Sequence, residues 1–186
     1  DTATLTVNCY DLTVSKTATT TFTRTWNWTI EKSVAPGTLD LFDGDSGSVE
    51  YSVLVTKTGY TDSNWAVSGT ITVTNPAPMA APLTGVADVI SGGINAAVDC
   101  PALSVPAGGS LVCTYAAALP DGTSRTNTAT ATLQNTPSGT TPYSGGAAVT
   151  FGDPTTVVND TINVDDSVEG VLGSADATKT FTYSRT

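Results

Sequence analysis

Three polar residues of this chain fall on apolar faces of predicted strands, where their chemistry can join a lysine to an asparagine. Counting alternate positions, Lys32 lies on the face of the preceding tryptophans, Asn127 among alternating alanines, and Asp88 between a valine and an isoleucine. Burial favours the neutral, nucleophilic lysine amine, and a protonated Asp88 would polarise the Asn127 amide so that ammonia leaves. The pattern predicts a Lys32–Asn127 isopeptide bond assisted by Asp88. The alternative is that Lys32, at its strand end, extends to water while Asn127 is simply hydrogen-bonded.

The composition excludes the common catalytic sites. The chain has no histidine, so it lacks the usual base of a nucleophilic hydrolase and the imidazole ligands of a zinc site. Its acidic residues fall mainly in turns, which does not favour a carboxylate pair arranged for glycoside hydrolysis. We therefore expect no enzyme, no catalytic residue beyond the self-cross-link, and no cofactor.

The charge of the chain excludes two classes of partner. It carries 17 acidic and 7 basic residues, which gives a formal net charge of −10. A charge of this sign repels nucleic acid and anionic lipid. No apolar stretch approaches the roughly 18 residues of a membrane-spanning helix, so membrane insertion is not expected.

One acidic turn has the ligand types for a hard cation. Asp43, Asp45 and Glu50 lie within a few residues of each other, and calcium prefers carboxylate oxygens. Their spacing does not match the twelve-residue calcium loop. A cation site is therefore one interpretation of this segment, and a polar hairpin turn is the other.

Carbohydrate is the other ligand class that the sequence suggests. Asn27 and Asn159 each begin an Asn-x-Thr motif, the acceptor pattern for N-linked glycans. Aromatic side chains can also stack on sugar rings, and the candidates are Trp26, Trp28, Trp65, Tyr60 and Tyr143. The first two tryptophans share an apolar strand face, so the core competes for them.

The three cysteines predict one disulfide and one remaining thiol. Cys100 and Cys113 flank a Pro-Ala-Gly-Gly turn and can face each other across a hairpin, so we expect a disulfide and an oxidising compartment. The alternative is two small buried side chains that never meet. Cys9 is left over and is expected to be free or to pair with another chain.

Threonine at every second position indicates the fold class. The segments 19–25, 70–74 and 126–132 interleave threonines with apolar or small residues. This is the pattern of strands with one face in a core and one face in water. Since no segment shows a convincing helical period, the sequence predicts an all-β fold of antiparallel, Ig-like β-sandwiches.

The strand pattern also predicts a domain organisation. Residues 12–34 read as one long strand that can lead from one module into the next. Both chain ends have strand character but too few residues to bury a core alone. We therefore expect residues 1–20 to complete a neighbouring module, 21–152 to form a central Ig-like sandwich, and 153–186 to form a partial sandwich completed by a neighbouring copy.

A series of motifs over residues 30–134 resembles a known family. They are a first strand with Lys32, the strand 47–53, the Val-x-Asn-Pro turn at 73–76, the Val-x-Asp segment at 86–88 and the Asn-Thr-Ala-Thr strand at 127–130. In order and spacing they resemble the conserved Ig-like repeat domain of large bacterial and archaeal surface proteins. The resemblance implies an Ig-like fold, and it strengthens the expectation of a Lys–Asn bond because such repeats often carry one.

These observations favour an extracellular structural role. We expect a repeat of a cell-surface stalk, sheath or filament whose partners are other copies of itself, assembled head-to-tail by strand complementation. The alternative is an adhesin or carbohydrate-binding sandwich, in which glycans would be the partner.

Overall fold

The protein is all-β, as the threonine alternation predicts. The computed structural model describes every residue from Asp1 to Thr186, and no helical segment with the length and hydrophobicity of a membrane span is present. The strands in chain order are β1 (Thr13–Lys16), β2 (Thr19–Ala35), β3 (Val49–Thr74), β4 (Ala81–Ile90), β5 (Ile94–Asn95), β6 (Ala97–Asp99), β7 (Ser104–Val105), β8 (Ser110–Ala118), β9 (Arg125–Gln134), β10 (Thr140–Val149), β11 (Thr156–Val158), β12 (Ile162–Asp166), β13 (Gly170–Ala175) and β14 (Lys179–Arg185).

Alternating burial explains why these segments form strands. In β8, buried side chains such as Cys113 alternate with exposed positions, and in β9 buried side chains such as Ala129 alternate with threonines. Such strands bury one face and leave the other in water. The registered strand pairs are antiparallel except for β11, which pairs in parallel with β2. The predicted fold class is therefore confirmed.

The chain divides into two compact units that differ from the predicted domains. Unit 1 comprises residues 1–22 and 64–153, and unit 2 comprises residues 23–63 and 154–186. Residues 23–63 thus belong with the C-terminal segment and not with a central sandwich of 21–152. No change of composition marks the boundaries within β2 and β3, because the chain passes from one unit to the other inside continuous strands.

Unit 1 is a sandwich of two sheets. In one sheet β3 pairs with β1 and β8, and β8 pairs with β6. In the other, β9 pairs with β10 and β4, while β4 also pairs with β5 and β7. Side chains from both sheets form one core, whose buried members include Ile71, Ile90, Val105, Cys113 and Ala129.

Unit 2 has fewer strands and a smaller core. β2 and β3 are neighbours in its main sheet, with β11 beside β2 and β14 beside β3. β12 and β13 form a separate two-stranded sheet, so the edge of β12 opposite β13 has no partner strand. The buried core consists of Val53, Val55, Val164, Ala175 and Phe181.

The N-terminal segment forms no strand with the rest of the chain. Residues 1–10 are all exposed, and the side chains of Leu5 and Val7 are 85% and 72% exposed. The alternation of residues 2–8 is typical of a strand, but a strand needs a partner for its backbone N–H and C=O groups. This segment therefore has strand-like sequence without a sheet to join.

The predicted strand 12–34 is interrupted after Lys16. Between β1 and β2 the backbone N–H of Thr17 donates to the carbonyl of Thr70 over 3.0 Å. The backbone N–H of Thr70 donates in return to the Thr17 hydroxyl, also over 3.0 Å. β1 is thereby fixed beside β3, with Lys16 opposite Ile71.

The predicted Cys100–Cys113 disulfide is present, and it indicates an oxidising environment. It links adjacent strands, since β6 pairs with β8 up to Asp99 opposite Thr114. Cys9 is exposed and has no partner within the chain.

Reduction of the Cys100–Cys113 disulfide is expected to lower the free energy of unfolding by about 3 kcal/mol, because the bond closes a short loop in the unfolded chain. Urea unfolding followed by tryptophan fluorescence, with and without reductant, measures the change. The matched control is Cys9→Ser, which should leave the unfolding midpoint unchanged. A midpoint that does not move after complete reduction would contradict the expectation.

Candidate functional site

A lysine, an aspartate and an asparagine meet in the interior of unit 1. β1 supplies Lys16, β4 supplies Asp88 and β9 supplies Asn127. Lys16 Nζ forms an ion pair with Asp88 Oδ1, and Asn127 Nδ2 donates to Asp88 Oδ2 over 3.1 Å. A single carboxylate therefore links the amine and the amide.

The site is closed to solvent. The side chains of Lys16 and Asp88 have 0% exposure, and Asn127 is also 0% exposed. A charge in such a place is costly unless it is paired or neutralised. Burial lowers the pKa of the Lys16 amine below its ordinary value of 10.5, and the hydrogen bond and charge of Asp88 offset part of that effect.

Tyr115 of β8 covers one side of the lysine. The Lys16 ammonium lies 4.0 Å from the centre of the Tyr115 ring, a distance typical of a cation–π contact. The Tyr115 hydroxyl donates to the carbonyl of Thr17 over 2.6 Å, which holds the chain just after the lysine. Burial raises the pKa of the Tyr115 hydroxyl, so it remains a donor over the physiological pH range.

Two glycines let the lysine strand approach the strands around it. A Cβ on Gly145 of β10 would lie 2.0 Å from the carbonyl oxygen of Val14, and a Cβ on Gly69 of β3 would lie 2.4 Å from that of Thr17. Real side chains do not make contacts this short, so neither position accepts alanine without movement of β1. The two glycines therefore set the depth at which Lys16 enters the core.

These groups are placed to exchange a proton and to polarise the amide. Transfer of one proton from Lys16 to Asp88 leaves a neutral amine and a neutral acid, which removes both charges from the core. Asn127 Oδ1 is buried without a hydrogen-bond partner. Rotation of the amide by half a turn would bring this oxygen to the protonated Asp88, which can then donate to it and polarise the carbonyl.

The lysine of the site is Lys16 and not the predicted Lys32, whereas Asp88 and Asn127 lie together as predicted. Lys32 belongs to unit 2, where its Nζ lies 2.6 Å from Asp166 Oδ2 and its side chain is 38% exposed. The alternation of residues along a strand shows which side chains point inward. It does not show which of the two similar lysine-containing strands, β1 or β2, packs into the core of which unit. A signal was present in the sequence, because Thr-Val-Ser-Lys-Thr at 13–17 resembles Thr-Ile-Glu-Lys-Ser at 29–33, with threonine and lysine at the same positions.

The structure does not bring together the three acidic residues of the suggested cation site. No group of three or more acidic or cysteine side chains gathers in a metal-binding arrangement. Asp45 Oδ2 instead accepts a hydrogen bond from the backbone N–H of Phe42 over 3.1 Å. The segment containing Asp43 and Asp45 is therefore a polar turn, and Glu50 lies in β3.

The candidate sugar-stacking residues are divided between the two units. In unit 1, Trp65 stacks on Phe22 with ring centroids 4.2 Å apart and meets the edge of Phe151. In unit 2, Trp26 packs edge-on against Tyr60 at 5.2 Å. Trp65 and Trp26 therefore each pack against another aromatic ring of their own unit.

The two remaining aromatic candidates and the two sequon asparagines differ in their contacts and exposure. Tyr143 donates its hydroxyl to Asp11 Oδ1 over 3.1 Å, and the indole N–H of Trp28 donates to the carbonyl of Asn159 over 2.8 Å. Both sequon asparagines, Asn27 and Asn159, are exposed. Exposure leaves them accessible to glycosylation, which remains a prediction.

Comparison with known proteins finds no matching family model, curated protein or solved structure. The features that bear on function are therefore the buried site of unit 1, the disulfide and the strand edges without partners.

Gly145→Ala is expected to destabilise unit 1 by about 1–3 kcal/mol, because the added methyl group overlaps the carbonyl of Val14 and displaces β1. The matched control is Gly146→Ala on the same strand. A Cβ there has its nearest contact at 3.5 Å, so the effect should stay within about 0.5 kcal/mol. Urea unfolding of both variants tests this, and equal effects would contradict the close approach of β1.

Proposed function

We propose that this chain is an extracellular structural module of a surface stalk, sheath or filament. Unit 1 stiffens itself with an isopeptide bond between Lys16 and Asn127, and copies join head-to-tail by strand complementation. The observation that carries the proposal is the solvent-free contact of an amine, a carboxyl and an amide in one core. Resemblance of the sequence motifs to Ig-like surface repeats supports the same role.

The bond follows from a balanced step. The neutral Lys16 amine attacks Cγ of Asn127 while the protonated Asp88 donates to the carbonyl oxygen. An Nζ–Cγ amide bond forms, the Cγ–Nδ2 bond breaks, and Nδ2 leaves as ammonia with a proton relayed through Asp88. No oxidant or cofactor is needed, because an amide replaces an amide.

Other features of the chain fit a module that works outside the cell. The disulfide is expected to persist outside the reducing cytosol. The low basic content and the net charge of −10 of the whole chain favour solubility and disfavour binding to nucleic acid. The Lys16–Asn127 amide would be a second covalent cross-link in unit 1, and it would increase resistance to unfolding without a larger core.

Strand complementation is supported by two unpaired elements. Residues 1–10 carry apolar side chains that no core covers, and the outer edge of β12 has no partner strand. Open edges are templates for pairing with another chain. A contact of one end with the other end of the next copy is head-to-tail, so it extends into a filament unless the rotation closes a ring.

The intact mass of the monomeric chain is expected to fall below the sequence mass by one ammonia, beyond the loss due to the disulfide, because the Lys16–Asn127 bond forms on folding. Proteolysis should yield a branched peptide that joins the two residues. Lys16→Met and the isosteric Asp88→Asn should both retain the full mass, whereas the surface control Lys179→Arg should still lose ammonia. A folded wild-type chain with the full mass would disprove the bond.

Deletion of residues 1–10 is expected to abolish elongation and leave unit 1 folded, because these residues lie exposed and pair with no strand of their own chain. Electron microscopy and light scattering measure elongation, and the ammonia loss of unit 1 reports folding in the same sample. Undiminished polymerisation of the truncated chain would contradict the proposed assembly.

A further inference from the structure

Unit 2 repeats the strand arrangement of the buried site in unit 1. In unit 1, β8 pairs with β3 so that Cys113 lies opposite Ile71 and Tyr115 opposite Gly69. In unit 2, β14 pairs with the other half of β3 so that Phe181 lies opposite Val53 and Tyr183 opposite Tyr51. The Cys-Thr-Tyr of β8 and the Phe-Thr-Tyr of β14 therefore hold equivalent positions.

The lysine and aspartate strands are repeated as well. The segment 13–17 with Lys16 matches 29–33 with Lys32, and Val-Ala-Asp at 86–88 matches Val-Asp-Asp at 164–166. β12 forms a hairpin with β13 as β4 does with β5. Lys32 and Asp166 pair in unit 2 as Lys16 and Asp88 do in unit 1.

The repeated site contains a lysine and an aspartate but no amide. Lys32 Nζ lies 2.6 Å from Asp166 Oδ2 and 5.5 Å from the centre of the Tyr183 ring. The Asp166 side chain is 6% exposed, and the buried Tyr183 hydroxyl has no hydrogen-bond partner. Tyr115, its counterpart, donates to the carbonyl that follows Lys16. Unit 2 thus holds half of the unit 1 site.

The missing half corresponds to one strand. In unit 1 the amide comes from β9, which pairs with the edge of β4 opposite β5. The equivalent edge of β12 is unpaired. An open cleft of about 360 Å³ runs beside it, lined by residues that include Trp28, Ile30 and Val164. Ile30 is 62% exposed, whereas its counterpart Val14 packs against the unit 1 core.

The N-terminal segment has the sequence of the missing strand. Residues 1–7 read Asp-Thr-Ala-Thr-Leu-Thr-Val, and β9 reads Asn-Thr-Ala-Thr-Ala-Thr-Leu over 127–133. The two segments share the same period of threonines, and Asp1 stands at the position of Asn127. Residues 1–7 form no strand in their own chain and are exposed throughout.

We infer that residues 1–7 of a second copy form the missing strand of unit 2, and that the Asp1 carboxyl of that copy becomes joined to Lys32 by an amide bond. The inference rests on the proposed head-to-tail assembly and adds its register and its covalent link. By analogy with Ala129 opposite Asp88 and Ala131 opposite Val86, Ala3 will lie opposite Asp166 and Leu5 opposite Val164.

The bond formation balances with loss of water. The Lys32 ammonium passes a proton to Asp166, and the neutral amine attacks Cγ of Asp1. The Nζ–Cγ bond forms and one Cγ–O bond of Asp1 breaks. The oxygen leaves as water with two protons, one from the Lys32 amine and one returned by Asp166. Asp166 supplies and recovers a proton, as Asp88 does in unit 1.

Docking of the strand would change the protonation state of the Lys32 amine. In the open site Asp166 raises the pKa of the exposed Lys32 amine, which keeps it protonated. A strand laid over β12 would bury the pair, and burial has the opposite effect at Lys16. The amine therefore becomes nucleophilic only when the second copy is in place.

The test uses the full chain at high concentration, boiled in SDS with reductant so that Cys9 disulfides are removed. A ladder of oligomers is expected, and the dimer should weigh one water less than two monomers. Lys32→Arg and Asp1→Ala should remove the ladder, while unit 1 still loses ammonia. Asp1→Asn should restore it with ammonia lost in place of water, and Thr2→Ala, at an outward position, should leave it unchanged.

Four results would overturn the inference. Native filaments that dissociate wholly into monomers in SDS would leave the proposed assembly standing without the link. A chain that forms no filaments at all would disprove both. A monomer that loses one water without a ladder would show that its own residues 1–7 close unit 2. A ladder that survives Lys32→Arg would place the link elsewhere.

Discussion

The structure of unit 1 depends on keeping one ion pair away from water. A lysine and an aspartate with no exposed surface are tolerable only if each satisfies the other, and both are held by strands from different sheets. Lys16 on β1 and Asp88 on β4 therefore fix how the two sheets face each other. The glycines beneath β1, the tyrosine over the amine and the break after Lys16 all serve to bring that strand to this depth.

Unit 2 differs from unit 1 in that one edge of its strand β12 has no partner strand. β12 offers a row of N–H and C=O groups to solvent, and the neighbouring apolar side chains remain partly exposed. Water can satisfy such an edge, but it cannot fill the cleft with apolar contacts. The lysine of the pair is therefore buried in one unit and partly exposed in the other, and the difference at the site is the presence of one strand, β9.

The fold class and part of the site were predictable because they depend on local periodicity. Alternation placed Asp88 and Asn127 on inward faces, and the two meet as predicted. The choice between Lys32 and Lys16 was not predictable from parity, because it depends on which sheet each strand joins. The boundaries of the two units were missed for a related reason: β3 runs through the turn-like residues around Gly59 without ending. The internal repeat would have revealed the second lysine.

The place of the Lys16–Asn127 pair along the chain has a mechanical consequence. Lys16 lies near the start of unit 1, and Asn127 lies on the far side of a long stretch of sequence. In the proposed bonded form, tension applied at the two ends would cross directly from one side chain to the other. A pull transmitted along the backbone would bypass residues 17–126, so it could not lengthen this stretch, however fast the unbonded module would unfold under force.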